Sequence, residues 1–221
     1  MAFEGVLCGR PAAQVVEEIR RFHGFPAPGV VIGAFMVDWA QEHIGPGIEA
    51  DAIVETLRCL PDAVQLFTPC TLGNGWLRVL DWERFALTLY DRSSRRGARI
   101  WLDARKAAAY PAIHDWFLKR LSKQALPLET ILDSIFDARR AVLSCRTVIV
   151  TAFLRRPKKE TIAICPGCGE AFDPRAGDCC KGCQHGSYFK KDDAGSTPSA
   201  PAAIGQEGGG SKFLPSVNPR S

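Results

Sequence analysis

The sequence has no long hydrophobic run. None of its segments approaches the roughly 18 uninterrupted apolar residues of a membrane-spanning helix. Its start, Met-Ala-Phe-Glu-Gly-Val-Leu-Cys-Gly-Arg, also lacks the basic stretch and apolar stretch of a secretory signal. These absences exclude the membrane-protein class, and we expect a soluble protein without a membrane partner.

The sequence also has little net charge. Its 28 Lys and Arg residues and 24 Asp and Glu residues give a formal charge of +4, which is too weak to indicate a polyanionic partner unless the charge is concentrated. Part of it lies shortly before a cluster of cysteines, at Arg139, Arg140, Arg146, Arg155, Arg156, Lys158 and Lys159. A solvated helix face followed by a basic linker is the favoured interpretation, and a nucleic-acid contact is the alternative.

A disulfide framework is the third absence. Four of the nine cysteines, Cys8, Cys59, Cys70 and Cys145, are scattered through apolar sequence, and the other five are clustered with metal-ligand spacing. This usage fits a reducing compartment better than a set of disulfides, so we expect a cytoplasmic protein. The first 156 residues contain no Cys-x-x-Cys motif, which disfavours a thiol redox enzyme.

What the sequence does contain is a pair of short cysteine knuckles, Cys165-Pro-Gly-Cys168 and Cys180-Lys-Gly-Cys183, separated by eleven residues. This spacing lets four sulfurs converge on one tetrahedral ion, and it predicts a structural zinc site formed by Cys165, Cys168, Cys180 and Cys183. Gly167 and Gly182 lie inside the knuckles, where we expect them to supply the positive φ of a sharp curl.

Two neighbouring residues leave the ligand set open. Cys179 adjoins Cys180, and His185 lies two positions beyond Cys183, so either replaces a ligand if the loop is shifted by one residue. The alternative without metal is a reduced or disulfide-bonded surface loop. Zinc binding contributes on the order of 10–16 kcal/mol in comparable peptides, and we do not expect so small a segment to fold without it.

Hydrophobic periodicity predicts alternating helices and short strands in the rest of the chain. Helical spacing covers residues 11–22, a segment starting at Pro28, and residues 61–67, 111–123 and 128–143. Strand-like runs occur at residues 52–57, 76–80, 85–90, 99–102 and 147–154. The prediction is an α+β core at residues 1–156, a zinc finger at 157–191, and a disordered tail at 192–221 that has too little apolar content to pack.

Three blocks of residues match the sequence motifs of a known family in residue type and spacing. The first is Phe22-His-Gly-Phe-Pro-Ala-Pro-Gly29. The second runs from Ile53-Val-Glu-Thr56 through Cys59 and Asp62-Ala-Val-Gln65 to Pro69-Cys-Thr-Leu-Gly-Asn-Gly75, and the third is the cysteine module. Together, from about Val15 to Cys183, they resemble the formylmethanofuran dehydrogenase E-subunit family.

The resemblance implies a thioredoxin-like core, with a mixed sheet flanked by helices, and a zinc finger of treble-clef type. It also implies association with molybdenum- or tungsten-dependent one-carbon dehydrogenases. In the family, the block that contains the first histidine and the Gly-Cys-Thr turn are thought to face a shared pocket that can hold a metal ion.

This chain departs from the family at that pocket. Phe25 replaces the second histidine and Ala27 replaces the cysteine of the family's Phe-His-Gly-His-x-Cys block. The remaining soft donors are His23, Cys59 and Cys70, and the loss of two ligand positions weakens a core metal site.

Other residues of these blocks have both functional and structural interpretations. Thr71 and Asn74 add polar groups able to orient a small ligand, although Asn74 stands where the family has lysine. Cys70 alone is also consistent with a small buried hydrophobe, and His23 with a cation that complements a helix dipole. Glu55 is consistent with a general base or with a strand residue that faces solvent, and we favour the second interpretation.

The function predicted from these patterns is a non-catalytic, metal-binding accessory protein. It has a degenerate core pocket and a structural zinc finger for docking on another protein. The expected partners are a second copy in a homodimer and an oxidoreductase complex. A nucleic-acid-binding or regulatory protein that uses the stretch Arg155–Lys159, and a thiol redox enzyme, are the alternatives.

Overall fold

The chain divides into two compact units in a computed structural model, which describes residues 3–122, 124–151, 161–186 and 188–189. The core unit is Met1–Pro157 and the finger unit is Lys158–Ser221. The predicted tail at 192–221 and the basic stretch at 155–159 lie outside the described residues. In the described part, no helix combines the length and the apolarity that crossing a bilayer requires.

A five-stranded mixed sheet forms the centre of the core unit. In chain order, the strands of this unit are β1 (Val6–Leu7), β2 (Arg10–Pro11), β3 (Ala50–Val54), β4 (Leu77–Val79), β5 (Ala86–Asp91), β6 (Arg96–Leu102) and β7 (Leu143–Ile149). The sheet order is β4-β3-β5-β6-β7, and β1 and β2 form a separate hairpin. The pairing of β3 with β4 is parallel and the other pairings are antiparallel.

One central helix organises the packing on this sheet. The helices are α1 (Ala12–His23), α2 (Pro28–Ile44), α3 (Leu60–Phe67), α4 (Ala104–Ala107), α5 (Pro111–Phe117) and α6 (Leu128–Ala138). Helix α2 starts with proline at its first position and is buried at every residue from Pro28 to Val37. It packs against β5, β6, α3 and α6, which is the behaviour expected of a helix that is apolar all round.

The two faces of the sheet differ because side chains alternate along each strand. Val54, Leu87 and Ile100 point toward α2 and belong to the hydrophobic core. The alternate residues point to the opposite side, which we name the open face and which includes Thr88 and Arg99. Among the described residues, no helix is packed on the open face, and its long arginine and tryptophan side chains cover it.

Gly33 allows α2 and α3 to approach closely. A Cβ built on Gly33 would lie 2.6 Å from the Cβ of Ala63 and 3.2 Å from Cδ2 of Leu60. We expect Gly33→Ala to lower the free energy of unfolding by about 2 kcal/mol, because overpacking a tight helix contact outweighs the gain in helix propensity. Urea denaturation followed by tryptophan fluorescence measures this change.

The compensating substitution tests the cause of that loss. Ala63→Gly removes the facing Cβ, so adding it to Gly33→Ala should recover more than half of the lost stability. A Gly33→Ala variant as stable as the wild-type protein would contradict this account of the α2–α3 contact.

The finger unit is small and lacks an apolar core in its described part. It consists of the antiparallel hairpin β8 (Ala163–Ile164) and β9 (Ala171–Phe172), a 3-10 turn at Pro174–Ala176, and helix α7 (Lys181–His185). Among the residues whose side chains are described there, Cys165 alone is buried, with 1% of its surface exposed. Hydrophobic burial therefore contributes little to the fold of this unit.

The structure confirms the predicted α+β class, with a mixed sheet, packed helices and a C-terminal four-cysteine cluster consistent with a zinc finger. The more specific likeness to thioredoxin stays a prediction. The predicted domain limits at residues 156 and 191 also stay predictions, although the division between the two units falls at Pro157.

The last strand of the sheet differs from the prediction. Helix α6 ends at Ala138 rather than at residue 143, because Arg139 adopts a positive φ of 48°. A 3-10 turn at Arg139–Val142 then leads into β7, which begins at Leu143 and pairs along its whole length with β6. The predicted strand at 147–154 therefore starts too late, and its residues 152–154 lie outside the described part.

Candidate functional site

Four cysteine sulfurs lie together in the finger unit. The Sγ atoms of Cys165, Cys168, Cys180 and Cys183 all lie within 4.8 Å of one another. The Sγ of Cys165 is 3.8 Å from that of Cys183, and the Sγ of Cys168 is 3.7 Å from that of Cys180. A tetrahedral zinc ion with Zn–S bonds of about 2.3 Å requires sulfurs about 3.8 Å apart, so these residues fit zinc.

The backbone aims the sulfurs inward. Cys165 lies at the start of the hairpin turn after β8, and Cys180 caps the N-terminus of α7. The N–H of Cys180 donates to the Sγ of Cys165 at 3.4 Å, and the N–H of Cys183 donates to the Sγ of Cys180 at 3.4 Å. Such bonds stabilise thiolates and fix the orientation of metal ligands.

The glycines of the knuckles act differently from the prediction. Neither Gly167 nor Gly182 has a positive φ, whereas Gly169, just after the first knuckle, has a φ of 77°. Gly167 matters for space, because a Cβ there would lie 3.0 Å from the Sγ of Cys183. The sharp curl is completed one residue after Cys168 and not inside the knuckle.

The electrostatics of the quartet also favour a cation. A hydrogen bond from the Cys180 N–H lowers the pKa of the Cys165 thiol to about 6. The thiol of Cys183 has its pKa raised to about 12, chiefly by its hydrogen bond with the sulfur of Cys180. Without a cation the four groups share protons, and a divalent ion that replaces those protons lets all four bind as thiolates.

The two competing ligands lie outside this quartet. Cys179 is half-buried and its carbonyl oxygen accepts a hydrogen bond of 2.7 Å from Nε2 of Gln184. His185 is the last residue of α7. Neither belongs to the group of four sulfurs that the structure brings together.

In the core unit, His23 and Cys59 lie beside the same carboxylate. Nδ1 of His23, at the end of α1, is 2.6 Å from Oδ2 of Asp62 in the first turn of α3. Burial raises the pKa of the Cys59 thiol, and the charge of Asp62 raises it further. Asp62 therefore connects two residues that the sequence places 36 positions apart.

Cys59 is held in a strained conformation. It has φ 57° and ψ −49°, and the N–H of Leu60 donates to the carbonyl of Arg58 at 2.6 Å, which closes a γ-turn centred on Cys59. A Cβ on Gly29 in α2 would lie 2.7 Å from the Cys59 Sγ. The close approach of α2 thus holds the thiol in place against a strain of about 1–3 kcal/mol.

Cys70 lies at the other end of α3. Its buried Sγ donates to the carbonyl of Ala50 at 3.3 Å, at the start of β3, whereas Cys59 precedes the first residue of α3. The eight residues of α3 span about 12 Å, so Cys59 and Cys70 do not share a pocket. Burial is the main cause that raises the pKa of Cys70.

Thr71 and Asn74 use their polar groups within a turn. Oδ1 of Asn74 accepts from the N–H of Thr71 at 3.0 Å and from that of Trp76 at 2.9 Å. Its Nδ2 donates to the carbonyl of Pro69 at 2.7 Å, and its N–H donates to Oγ1 of Thr71 at 3.1 Å. These bonds stabilise the turn and leave the Asn74 amide with little capacity for a ligand.

The structure therefore separates the five candidate residues of the core pocket. His23 and Cys59 lie near Asp62 at one end of α3, and Cys70, Thr71 and Asn74 lie at the other. Among the residues described by the structure, the cysteine quartet is the single group of three or more His, Cys, Asp or Glu side chains close enough to hold a metal ion. Whether any core residue binds a ligand stays a prediction.

Sequence reasoning missed two acidic residues. Asp62 was visible as an acidic residue in the first turn of a helix, where it is normally explained by the helix dipole. Glu55 was expected to face solvent, but its side chain is only 5% exposed and forms ion pairs with Arg99 at 2.7 Å and Arg84 at 2.8 Å. Burial raises the pKa of Glu55, but these arginines outweigh burial, so its net pKa is lowered.

Both units match families of known proteins. A family model described as FmdE, molybdenum formylmethanofuran dehydrogenase operon, matches residues 22–151. A second model, described as FmdE treble clef zinc finger, matches residues 156–190.

A solved structure and the sequence of one curated protein are also similar to this chain. The crystal structure of a tungsten formylmethanofuran dehydrogenase FmdE-like protein from Syntrophus aciditrophicus is 44% identical with a TM-score of 0.76, covering 84% of this chain and 98% of that one. A probable S-adenosyl-L-methionine-binding protein from Archaeoglobus fulgidus is 36% identical over 119 residues. That match covers 49% of this chain and 29% of the relative, so this chain aligns with less than a third of it.

Proposed function

Since this chain belongs to the FmdE family, we propose that it is a non-catalytic, metal-binding accessory protein whose finger unit binds a structural zinc ion and docks on an oxidoreductase. The observation that carries the proposal is the convergence of four cysteine sulfurs in a unit whose described part has one buried side chain. The homodimer and the cytoplasmic location stay predictions.

The ligand set supports a structural role for the metal. Four cysteine ligands close the coordination sphere of zinc, whereas catalytic zinc sites keep one position open for water or substrate. The zinc ion would supply the folding energy of the finger and no reaction step. The residues of this chain would hold the hairpin and α7 together through Cys165, Cys168, Cys180 and Cys183.

The exposed surface of the finger supports a docking role. Ile164 is 68% exposed on β8 and Tyr188 is 99% exposed after α7. Ile162 and Phe189 are exposed as well, and in our proposal a protein partner covers these four side chains. Their partner in this proposal is a molybdenum- or tungsten-dependent one-carbon oxidoreductase, the class that the names of the family and of the solved relative suggest.

The core thiols give no support to the thiol redox alternative. Burial is the main cause of a raised pKa at Cys8, Cys59, Cys70 and Cys145, and Cys8 is raised to about 12. A nucleophilic thiol needs a lowered pKa to form its thiolate near neutral pH. These four residues are therefore protonated packing groups in our proposal.

Co-elution with a defined enzyme tests the docking role. The zinc-loaded chain is mixed with the recombinant catalytic component of a tungsten formylmethanofuran dehydrogenase and analysed by size-exclusion chromatography with metal analysis. We expect a complex with about one zinc per chain, which Ile164→Glu abolishes and Ile164→Val preserves. The variant His23→Ala should keep all of its zinc and still bind.

Two results would contradict the proposal. If neither protein shifts the elution of the other at micromolar concentration, the docking role is wrong. If His23→Ala removes metal from the purified chain while the finger cysteines are intact, the core unit holds a metal centre and the accessory role must be revised.

A further inference from the structure

The open face of the core sheet carries a row of side chains in which three of five are arginine. One cross-strand row reads Arg78, Ile53, Thr88, Arg99 and Arg146 from β4 to β7. At a strand spacing of about 4.8 Å, the row spans roughly 19 Å. Its central members Ile53 and Thr88 are buried beneath longer neighbours, so arginine forms most of the accessible surface.

Tryptophan rings are interleaved with these arginines. Three of the five tryptophans contact arginine guanidinium groups at this face. The distances from guanidinium carbon to ring centroid are 4.5 Å for Arg92 and Trp76, 4.7 Å for Arg84 and Trp82, 5.2 Å for Arg99 and Trp101, and 6.0 Å for Arg146 and Trp101. Such pairs keep flat rings and flat cations side by side.

The carboxylates of the face neutralise only part of this charge. Glu55 pairs with Arg84 and Arg99, and Asp51 pairs with Arg92 at 2.9 Å. In the part of the chain that the structure describes, neither Arg78 nor Arg146 has a carboxylate within ion-pair distance. The two ends of the row are thus positive and uncompensated.

One cross-strand pair within the row places two arginines side by side. Arg99 on β6 lies directly opposite Arg146 on β7, and like charges at such positions destabilise a sheet. Both guanidinium groups lie over the ring of Trp101. The Glu55 carboxylate compensates Arg99 but not Arg146, so an anionic group beside Arg146 would supply the counter-ion that this residue lacks.

We propose that the open face binds single-stranded nucleic acid. Phosphates contact Arg78 and Arg146, and unpaired bases stack on the exposed parts of Trp76 and Trp82. Recognition of this kind tolerates many sequences, because every base has a π-face. A second copy of this chain is a poorer occupant because two positive faces repel. An acidic peptide is also a poorer occupant, because acidic side chains carry no aromatic ring to stack on the exposed tryptophans.

Fluorescence anisotropy with a labelled 12-nucleotide oligouridine tests the proposal on the 221-residue chain. We expect binding at 50 mM salt and a loss of affinity of roughly sevenfold at 200 mM salt, as expected for about two single-strand phosphate contacts. A duplex of the same length should bind more weakly, because its bases are not free to stack.

Two variants and one control locate the site. Arg146→Glu should weaken binding about tenfold and reduce the salt dependence by about one phosphate contact. Trp82→Ala, at a residue 56% exposed, should weaken binding about tenfold through lost stacking. Arg21→Glu makes the same charge change at an exposed residue of α1, on the other side of the sheet, and should leave affinity within twofold.

Four outcomes would overturn the proposal. The first is absence of binding at 50 mM salt, and the second is an equal loss of affinity in Arg146→Glu and Arg21→Glu. The third is that Lys158→Glu with Lys159→Glu abolishes binding while Arg146→Glu has no effect, which would assign binding to the basic stretch before the cysteines. If Arg146→Glu instead changes the oligomeric state by light scattering, the face is an interface between copies of this chain.

Discussion

Replacing Cys180 with serine is expected to remove zinc from the finger unit and to unfold it. The described part of this unit has one buried side chain, Cys165, and strands of two residues, so metal binding is its main source of folding energy. That contribution is on the order of 10–16 kcal/mol in comparable peptides. Metal analysis should show zinc falling from about one per chain to nearly none, and limited trypsin digestion should cleave the finger rapidly.

The neighbouring cysteine provides a matched control. Cys179→Ser also replaces a sulfur with an oxygen, but at a residue outside the four-sulfur group. This variant should keep its zinc and its resistance to protease. The thermal midpoint of the core should be the same in both variants, because the core has its own hydrophobic cluster. Zinc retained by Cys180→Ser and lost by Cys179→Ser would show that the ligand set is shifted by one residue.

The finger could be predicted because its information is local. Two knuckles with a fixed gap place four sulfurs together whatever the rest of the chain does, and the family matches confirm the predicted resemblance. The core elements are also local, because proline, glycine and apolar spacing mark the start, end and buried side of helices such as α2. For these elements the structure differs from the prediction in details, such as the start of β7 at Leu143.

The arrangement of the core pocket could not be predicted in the same way. Cys59 and Cys70 are close in sequence, and the resemblance placed them in one pocket, but α3 stands between them. The pairing of His23 with Asp62 joins residues 39 positions apart, and no periodicity reports such a contact. The tryptophans of the open face could not be predicted as a group either, because Trp76 and Trp82 flank β4 whereas Trp101 lies on β6.

Glu55 is expected to be the most sensitive polar residue of the core. Its carboxylate is 5% exposed and accepts a bidentate pair of hydrogen bonds from Arg99, at 2.7 and 2.8 Å. Glu55→Gln leaves Arg99 and Arg84 without their counter-ion, which typically costs 3–5 kcal/mol for a buried pair. We expect about 3 kcal/mol of lost stability, at the low end, because the side chain of Arg84 is 55% exposed.

The pH dependence separates the ion pair from simple packing. The pKa of Glu55 is lowered in the folded state from its usual value of 4.5, so the folded state favours the ionised form and its stabilisation is present above that value. The difference in the free energy of unfolding between wild type and Glu55→Gln should reach its maximum above about pH 5. It should shrink as the pH falls through the pKa of Glu55 in the folded state. Glu49→Gln, at a side chain 84% exposed and 3.4 Å from Arg92, should change stability by less than about 0.5 kcal/mol.

The same substitution has an opposite effect on the proposed nucleic-acid surface. Glu55 neutralises Arg84 and Arg99 on the open face, so its removal frees two guanidinium groups for phosphates. Glu55→Gln should therefore bind oligouridine more tightly and with a steeper salt dependence, at a temperature where it remains folded. A variant that is less stable and also binds more weakly would mean that the carboxylate orders the surface, and that the freed arginines make no phosphate contacts.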